Sequence, residues 1–524
     1  MKISEILEKL NRKEFVLPPF QREFVWNDKE KIIEFVDSLY RGYPIGSIII
    51  WKPTEEDIKE EIKERAIQAS VKGEPLYARD YILDGQQRLT TICRIFNGDP
   101  FVFKGEEFIL YFDTENEEFC FVRKSEKIKN FIPFHEIISK TSEQLIKELE
   151  IKETDKIIKL TSIFEKIRRI EEKEITVEYS SLLKRENALE LFIRLNTGGK
   201  PLETENLTLG YISIKWPSVR EELEKFREQI YKTNFKFDYD FFVRCLSAIS
   251  FKESLKRKIV PRFGEKNVSE DWEKKAKVGI LRLIDFLKGE LFLDSDMFIE
   301  AQNTLIPLVL ILSQKEVKGK ERELLAYSSL LAYINRRYSG AKFANLDKDI
   351  ELVHESSNPV EDWTKALEKD REIITNFKPE EIEESNNTTF QLALFVLLKS
   401  MNVKQDLLGR NFLENAASQE DKPEFHHIFP RKCLEGTQYE EICDHIANLT
   451  IITSKSNKEI SKKQPSYLLQ ISDELKRQHF IPQDRNLYKV DRYEDFLKER
   501  QKLIANALNN FLSQKRLKDV MPEY

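Results

Sequence analysis

Two adjacent histidines near the C-terminal end of the sequence have the residue type and setting that hydrolytic chemistry requires. His426 and His427 lie in the segment EFHHIFP, a short apolar stretch that Pro430 ends. Successive residues of a strand point to opposite faces, so both imidazoles reach one site only where the strand ends or bends. In that arrangement one ring can hold a metal ion while its neighbour faces the substrate.

Two asparagines downstream complete the pattern. Asn448 lies in ANLTII, which has the composition of a strand, and Asn457 lies in SNKEI, which opens a polar helical segment. The predicted order is strand, strand, helix, with the histidine pair on the first strand. This is the ββα arrangement of HNH-type metal nucleases, here in an H-N-N form, and its order and spacing make it more specific than a histidine pair alone.

These residue types match the needs of phosphodiester hydrolysis, which requires a base to deprotonate water and a hard cation to neutralise charge on the leaving oxygen. His427 is the predicted general base. His426 and Asn457 are the predicted ligands of Mg²⁺ or Mn²⁺. Asn448 is predicted to tie the loop so that His427 keeps its orientation.

A structural role is the alternative for these side chains, since paired histidines also occur as half-buried residues of ordinary strands. His445 has a similar setting, but it has no proline after it and no downstream pair of partners. We interpret it as structural, and we interpret the isolated residues His135, His354 and His479 in the same way.

A second candidate site is the run Asp84-Gly85-Gln86-Gln87-Arg88, between a predicted strand and a predicted helix. Free backbone N–H groups and the helix dipole at such a turn favour a phosphate group, and Arg88 adds a fork of donors. Asp84 could hold a cation or polarise water, which would suit binding and hydrolysis of an NTP. The structural alternative makes Asp84 an N-cap and Gly85 a turn residue. The residue chemistry leaves both alternatives open.

The elements that position these sites follow from apolar periodicity and turn residues. The predicted elements are, in order, a helix at 27–42, a strand at 43–51, a strand at 81–83, a helix ending at 98, strands at 107–112 and 118–122, and a helix from 185 into a loop at 196–201. Helical periodicity then continues to about residue 400. The predicted fold class is α+β and multidomain, with an α/β domain over 1–210, a largely helical middle domain over 211–401, and a helical C-terminal domain over 402–524 that contains the ββα metal motif.

Composition narrows the functional classes. A formal net charge of −6 argues against a chain that coats nucleic acid non-specifically, although the basic stretch 252–266 remains a candidate groove. The five cysteines lack CxxC spacing, which argues against a zinc ribbon or a disulfide framework. With no apolar run long enough to span a membrane and no signal-peptide pattern, we expect a cytoplasmic protein without a membrane partner.

Four ordered segments resemble the N-terminal domain of GmrSD-type proteins, namely LPPFQREFVW (17–26), GYPIGSI (42–48), YILDGQQRLTT (81–91) and FIRLNTGGKPL (192–202). The C-terminal segments HHIFP and ANLTIITSKSN resemble the HNH domain of that family. The resemblance implies a modification-dependent, type IV restriction endonuclease in phage defence. In this family a ParB/sulfiredoxin-like domain binds and hydrolyses NTP and is joined to an HNH nuclease.

Carried over by position, the resemblance implies a nucleotide site at 84–88 for GTP, UTP or ATP, with Asp84 and Arg88 as its catalytic residues. Gln21 and Arg22 would face this site or the modified DNA, and Asn196 would approach from a second loop. Trp26 is a candidate for sensing DNA, with a core aromatic as the alternative.

The sequence also departs from the common HNH pattern. His426 stands where many HNH centres carry an acidic residue, and Asn457 stands where many carry a final histidine, which leaves the metal preference open.

The main hypothesis is a single-chain nuclease in which an NTP-handling sensor controls an HNH cutter directed at modified phage DNA. Its expected partners are DNA and NTP, with a homo-oligomer as an option. One alternative is a non-catalytic, nucleotide-dependent DNA-binding regulator, which metal-dependent nicking would exclude. Another is an HNH nuclease without modification sensing, which would cut modified and unmodified DNA equally.

Overall fold

The chain divides into two compact units. A computed structural model of the protein describes residues 1–12, 14–17, 24, 26, 28–53, 65–66, 80–126, 128, 130–181, 185–197, 204–216, 218–382, 387–411, 423–460 and 463–516. Unit 1 consists of Met1–Arg220 and Val260–Asn267, and unit 2 consists of Glu221–Ile259 and Val268–Tyr524. The chain therefore passes through unit 2 before it completes unit 1.

Short strands build two sheets in unit 1 and a hairpin in unit 2. The strands are β1 (Phe15–Leu17), β2 (Ile48–Lys52), β3 (Arg65–Ala66), β4 (Asp80–Asp84), β5 (Phe101–Phe103), β6 (Glu106–Asp113), β7 (Glu118–Arg123), β8 (Phe131–Pro133), β9 (Val177–Ser181), β10 (Pro423–His427) and β11 (Leu449–Thr453). The first sheet has the order β3-β1-β4-β2-β9 and is mixed, because β1 is parallel to β4 and β2 to β9 while the other pairs are antiparallel. The second sheet is antiparallel and contains β5 to β8.

Helices make up most of the remaining structure. Up to residue 265 they are α1 (Ile3–Asn11), α2 (Lys29–Arg41), α3 (Gln86–Asn97), α4 (Phe134–Ser139), α5 (Ser142–Glu148), α6 (Thr154–Arg168), α7 (Arg185–Thr197), α8 (Thr204–Lys215), α9 (Val219–Tyr231), α10 (Tyr239–Phe251) and α11 (Arg262–Glu265). The later ones are α12 (Ser269–Asp271), α13 (Lys277–Glu290), α14 (Ile306–Gln314), α15 (Gly319–Ile334), α16 (Ala344–Glu355), α17 (Pro359–Lys369), α18 (Asn387–Ser400), α19 (Arg431–Leu434), α20 (Ser454–Ile460), α21 (Asp473–Gln478) and α22 (Tyr493–Arg516).

Local sequence signals explain the helix ends near the N-terminal motif. Asp28 caps α2 by accepting the amide of Glu30 at 3.0 Å, and Gly42 ends this helix with a φ of 79°. Gly85 joins β4 to α3 with a φ of 94°, a left-handed conformation that glycine adopts without steric cost. The predicted helix at 27–42 and the helix ending at Gly98 are therefore confirmed.

The predicted strand at 43–51 is wrong in its first half, because β2 begins only at Ile48. Gly46 has a φ of 84°, and the carbonyl of Ile45 accepts a hydrogen bond from Arg88 at 2.7 Å instead of pairing with a strand. The apolar residues of this segment gave a strand pattern that the turn at Gly46 breaks. The residues of the segment before β2 form a loop beside α3.

The predicted fold class is confirmed as mixed α+β and multidomain, with a helical C-terminal region. The boundary at 401/402 and the division into three domains stay predictions. In the basic stretch, Lys256 pairs with Asp347 and Lys258 lies 3.3 Å from Glu253, so part of its charge is neutralised within unit 2. Each helix of the described residues is either too short or too polar to span a lipid bilayer.

Candidate functional site

The histidine pair lies at the end of a two-stranded antiparallel hairpin that runs directly into a helix. In the register of β10 and β11, His426 faces Thr450 and His427 faces Leu449, and α20 begins immediately after β11. The strand ends after His427 because the next residues turn into the core, where Phe429 packs 4.8 Å from Phe496 between ring centroids. The described residues thus adopt the predicted order of strand, strand and helix.

His426 and Asn457 are in direct contact. The Nδ1 atom of His426 lies 2.8 Å from Oδ1 of Asn457, and Nδ2 of Asn457 donates to Oε2 of Glu424 at 2.8 Å. Glu424 and His426 are two residues apart on β10 and so share one face of the hairpin. Glu424 therefore fixes the carboxamide with its oxygen toward the imidazole. An amide oxygen only accepts hydrogen bonds, so Nδ1 of His426 is the donor. Burial lowers the pKa of His426 to about 4, so the neutral ring carries its one proton on Nδ1.

A divalent metal ion bound by this pair would replace the proton that Nδ1 of His426 donates to Asn457. In an octahedral Mg²⁺ shell with bonds near 2.1 Å, two adjacent ligand atoms lie about 3.0 Å apart. The separation of 2.8 Å between Nδ1 of His426 and Oδ1 of Asn457 is close to that spacing. Among the described residues no cluster of three or more His, Cys, Asp or Glu side chains could hold a metal. Mg²⁺ commonly keeps several water ligands, so an ion held by two side chains could complete its shell with water and substrate oxygens.

Asn448 joins the two segments on either side of the site. Its Oδ1 accepts the amide of Phe429 at 2.8 Å, and its Nδ2 donates to the carbonyls of Phe429 at 3.1 Å and Cys443 at 2.8 Å. The side chain is fully buried, so each of these bonds replaces one to water. This asparagine fixes the turn that follows His427 to the turn that precedes β11.

His427 is half-buried and has an acidic partner. Its Nε2 lies 2.6 Å from Oδ1 of Asp444, whose carboxylate is also bound by the guanidinium of Arg431. The hydrogen bond from Arg431 lowers the pKa of Asp444, so the carboxylate is ionised at neutral pH.

Sequence reasoning missed Asp444, Arg431 and Glu424. The available signals were the position of Glu424 on the face of His426 and the closeness of Arg431 to the histidine pair. Nothing in the sequence indicated that Asp444 would approach His427.

A buried polar layer lies behind β11. His479 is fully buried, with Nδ1 3.0 Å from Oγ1 of Thr450 and Nε2 2.9 Å from the carbonyl of Gln405, and burial lowers its pKa to about 4. Arg500 of α22, also fully buried, donates to the carbonyls of Ala447 at 2.8 Å and His479 at 3.2 Å. These contacts give His479 and Arg500 supporting positions behind the site.

The N-terminal motif lies at the turn between β4 and α3, as its sequence suggests. Arg88 donates from Nη2 to Oδ2 of Asp84 at 2.8 Å and from Nη1 to the carbonyl of Ile45 at 2.7 Å. The guanidinium therefore joins α3 to the loop before β2. A Cβ atom on Gly46 would lie 2.3 Å from Nη1 of Arg88, so this glycine is needed for the close approach.

The structure gives positions for three of the other residues predicted to bind the nucleotide, and their role in binding stays a prediction. Gln86 is buried and Gln87 is half-buried in the first turn of α3. The backbone of Asn196 belongs to the last turn of α7, so Asn196 and Thr197 are helical where a loop was predicted, and the rest of that predicted loop lies outside the described residues. Gln21 and Arg22 lie outside the described residues.

Trp26 packs against the core of unit 1, with its ring centroid 5.4 Å from that of Phe35 in an edge-to-face contact. This packing favours the alternative of a core aromatic over a role in sensing DNA.

Comparison with known proteins places the N-terminal region in a family. A model of the family described as GmrSD restriction endonuclease, N-terminal domain, matches residues 3–213. The match confirms the resemblance that the four N-terminal segments indicate, and it supports a restriction-endonuclease type of role in general. An uncharacterized protein of Methanocaldococcus jannaschii is 22% identical over an alignment of 563 positions, which covers 93% of this chain and 89% of that protein. This second similarity is not confined to the N-terminal domain.

Proposed function

We propose that this chain, whose residues 3–213 carry the N-terminal domain of the GmrSD restriction endonuclease family, is a metal-dependent DNA endonuclease with an HNH-type centre in its C-terminal part. The observation that carries the proposal is the spacing of 2.8 Å between Nδ1 of His426 and Oδ1 of Asn457, next to a half-buried His427. A metal ion that displaces the proton from Nδ1 of His426 would be held by this pair beside an imidazole base, an arrangement that suits hydrolysis of a phosphodiester.

The roles of the residues follow from their contacts. His426 and Asn457 would hold Mg²⁺ or Mn²⁺, which when bound would neutralise charge on the phosphate and the leaving oxygen. His427 accepts a proton from the attacking water. Glu424 keeps the oxygen of Asn457 toward the metal position, and Asn448 keeps the turn after His427 in place.

The N-terminal domain is the proposed sensor. The turn at Asp84, Gly85 and Arg88 would bind and hydrolyse an NTP, and its state would control cutting of modified phage DNA. What supports this part is the family match together with the geometry of a strand that runs through a left-handed glycine into the start of a helix. Gln86 and Gln87, in the first helical turn, would contact the nucleotide or its attacking water.

Removal of the proposed base tests the function. We expect His427→Ala to abolish cleavage of DNA in Mg²⁺ or Mn²⁺ while the chain remains folded. The matched control is His354→Ala in α16, which removes a partly buried imidazole whose Nε2 contacts the carbonyl of Ala248 at 2.8 Å. This control should cut at the wild-type rate. Cleavage by His427→Ala in the presence of metal would remove this residue from the mechanism.

The substrates decide between the remaining alternatives. Modified phage genomes and an unmodified control would be digested with and without NTP and with Mg²⁺ or EDTA. Selective, metal-dependent cutting that responds to NTP is the expected result. Equal cutting of both DNAs would leave an HNH nuclease without modification sensing, and nucleotide-dependent binding without cutting would leave a DNA-binding regulator.

A further inference from the structure

We propose that Asp444, held by Arg431, is a positioning residue for His427 and fixes its imidazole in the tautomer whose Nδ1 lone pair accepts the proton of the attacking water. This inference rests on the proposed nuclease function and adds to it a residue pair that comes from outside the H-N-N pattern. Asp444 and Arg431 lie on different segments, and both converge on the side of the imidazole that carries Nε2.

The contact distances determine which nitrogen carries the proton. Nε2 of His427 lies 2.6 Å from Oδ1 of Asp444, and the same oxygen accepts hydrogen bonds from Nε of Arg431 at 3.1 Å and from Nη2 at 2.5 Å. An ionised carboxylate only accepts hydrogen bonds, so Nε2 must be the donor. A neutral imidazole has one N–H group, and Nδ1 is then left with its lone pair.

The backbone on both sides of this contact is fixed by one buried residue. Asn448 donates to the carbonyl of Cys443, which precedes Asp444, and bonds to both backbone groups of Phe429, two residues after His427. The hydrogen bonds of the buried Asn448 side chain therefore fix the distance between the backbones of His427 and Asp444. Arg431 then sets the direction of the carboxylate from the solvent side.

The exposure of His427 and Asp444 indicates that their contact orients the imidazole and contributes little to the stability of the fold. The side chain of His427 is 24% exposed and that of Asp444 is 50% exposed. Ion pairs at such exposure contribute little to the free energy of unfolding. Orienting an imidazole requires only that one ring position be preferred, which a single charge-assisted hydrogen bond achieves. Loss of Asp444 should therefore affect the reaction and leave the fold intact.

The proton balance of the step follows from this geometry. An O–H bond of water breaks, its proton moves to Nδ1 of His427, and the water oxygen forms a bond to phosphorus. The bond from phosphorus to the leaving oxygen breaks, and that oxygen takes a proton from solvent. The imidazolium then carries a proton on each nitrogen, and the adjacent carboxylate of Asp444 stabilises its charge.

The first measurement is spectroscopic and does not depend on activity. The full chain, with ¹⁵N-labelled imidazoles at its six histidines, is studied by correlation spectroscopy without metal, and the spectrum of His427→Gln assigns the signals of residue 427. We expect the Nε2–H tautomer in the wild type and a mixture of tautomers in Asp444→Ala. An Nδ1–H tautomer in the wild type, or an unchanged spectrum in Asp444→Ala, would overturn the proposal.

The second measurement is the rate of DNA cleavage in Mg²⁺. Asp444→Ala should lower kcat roughly ten-fold or more with KM unchanged, as is typical for loss of a carboxylate behind a functional histidine. Asp444→Asn, whose amide can donate to Nε2 and so favour the opposite tautomer, should lower kcat at least as much. The control Glu441→Gln changes an exposed carboxylate three residues away and should leave kcat unchanged.

The two measurements separate failure of this proposal from failure of the proposed function. A wild-type kcat in Asp444→Ala would overturn the positioning role even if the tautomer shifts. Absence of cleavage by the wild type on every DNA would overturn the proposed function and the catalytic part of this proposal, whereas the spectra would still decide whether Asp444 fixes the tautomer.

Discussion

Removing the carboxamide of Asn448 should destabilise the turn that follows His427, because this side chain holds the backbone of that turn. The variant Asn448→Ala loses three hydrogen bonds, two of them to the buried backbone of Phe429 and one to the carbonyl of Cys443. Phe429 is fully buried, so its amide and carbonyl would be left without partners. A buried polar group without a partner costs about 1–3 kcal/mol, and partial relaxation leaves an expected local loss of about 3 kcal/mol.

Hydrogen exchange measures this loss at the affected amide. A local loss of about 3 kcal/mol corresponds to roughly a hundred-fold faster exchange of the Phe429 amide, because each 1.4 kcal/mol is a factor of ten. Exchange would be followed by mass spectrometry on peptides that span the end of β10, and DNA cleavage would be measured on the same preparation. We expect both faster exchange and slower cleavage, since the turn after His427 loses its anchor.

A matched asparagine controls for a general loss of stability. Asn509 of α22 holds Phe377 in the same way, with its Oδ1 accepting the amide at 2.8 Å and its Nδ2 donating to the carbonyl at 2.9 Å. Asn509→Ala should speed exchange at Phe377 and leave cleavage unchanged. Unchanged exchange at Phe429 in Asn448→Ala, or equal losses of cleavage in the two variants, would refute the reasoning.

Three further predictions concern other parts of the chain. Gly46→Ala should lower the melting temperature and nucleotide turnover more than Gly105→Ala, because both glycines have a φ above +80° but only at Gly46 would the new Cβ meet Arg88; equal effects would contradict this. Glu424→Gln should weaken Mn²⁺ binding roughly ten-fold, measured by electron paramagnetic resonance, because Asn457 loses a charged partner; unchanged affinity would exclude an orienting role for Glu424. The free energy of unfolding should fall as the pH decreases from 6.5 toward 4. Burial lowers the pKa of His426 and of His479 to about 4 in the folded chain, so over this range the unfolded chain binds more protons than the folded one. A melting temperature that is constant over this range without metal would contradict the burial of both rings.

The sequence predicted the elements near both motifs because their signals are local. Asp28 and Gly42 mark the ends of α2. The antiparallel pairing of β10 with β11, the strand that follows Asn448, places the histidine pair at the end of the hairpin. The first half of the strand predicted at 43–51 was wrong because the chain turns at Gly46 and because Arg88, more than forty residues away, takes the carbonyl of Ile45. A partner that distant in the chain leaves no trace in the periodicity of the segment.

The same distinction explains which site residues could be predicted. His426, His427, Asn448 and Asn457 form an ordered pattern, and the hairpin and α20 bring them close together. The contact between Asp444 and His427 depends on the path of the turn before β11, which the side chain of Asn448 fixes through Cys443. In the sequence Asp444 is one polar residue before His445 in a predicted turn, and no local pattern predicts its contact with His427.

The late return of the chain to unit 1 affects how this unit can be made and isolated. The helix α11 belongs to unit 1, and Gly264 comes so close to α8 that an added Cβ would lie 3.1 Å from Cδ1 of Tyr211 and 3.2 Å from Cδ1 of Ile214. During translation, the chain must therefore have emerged from the ribosome beyond residue 267 before unit 1 can complete its fold. A fragment cut at the end of the family match, residue 213, would leave the surface of α8 that faces α11 open to water and prone to self-association.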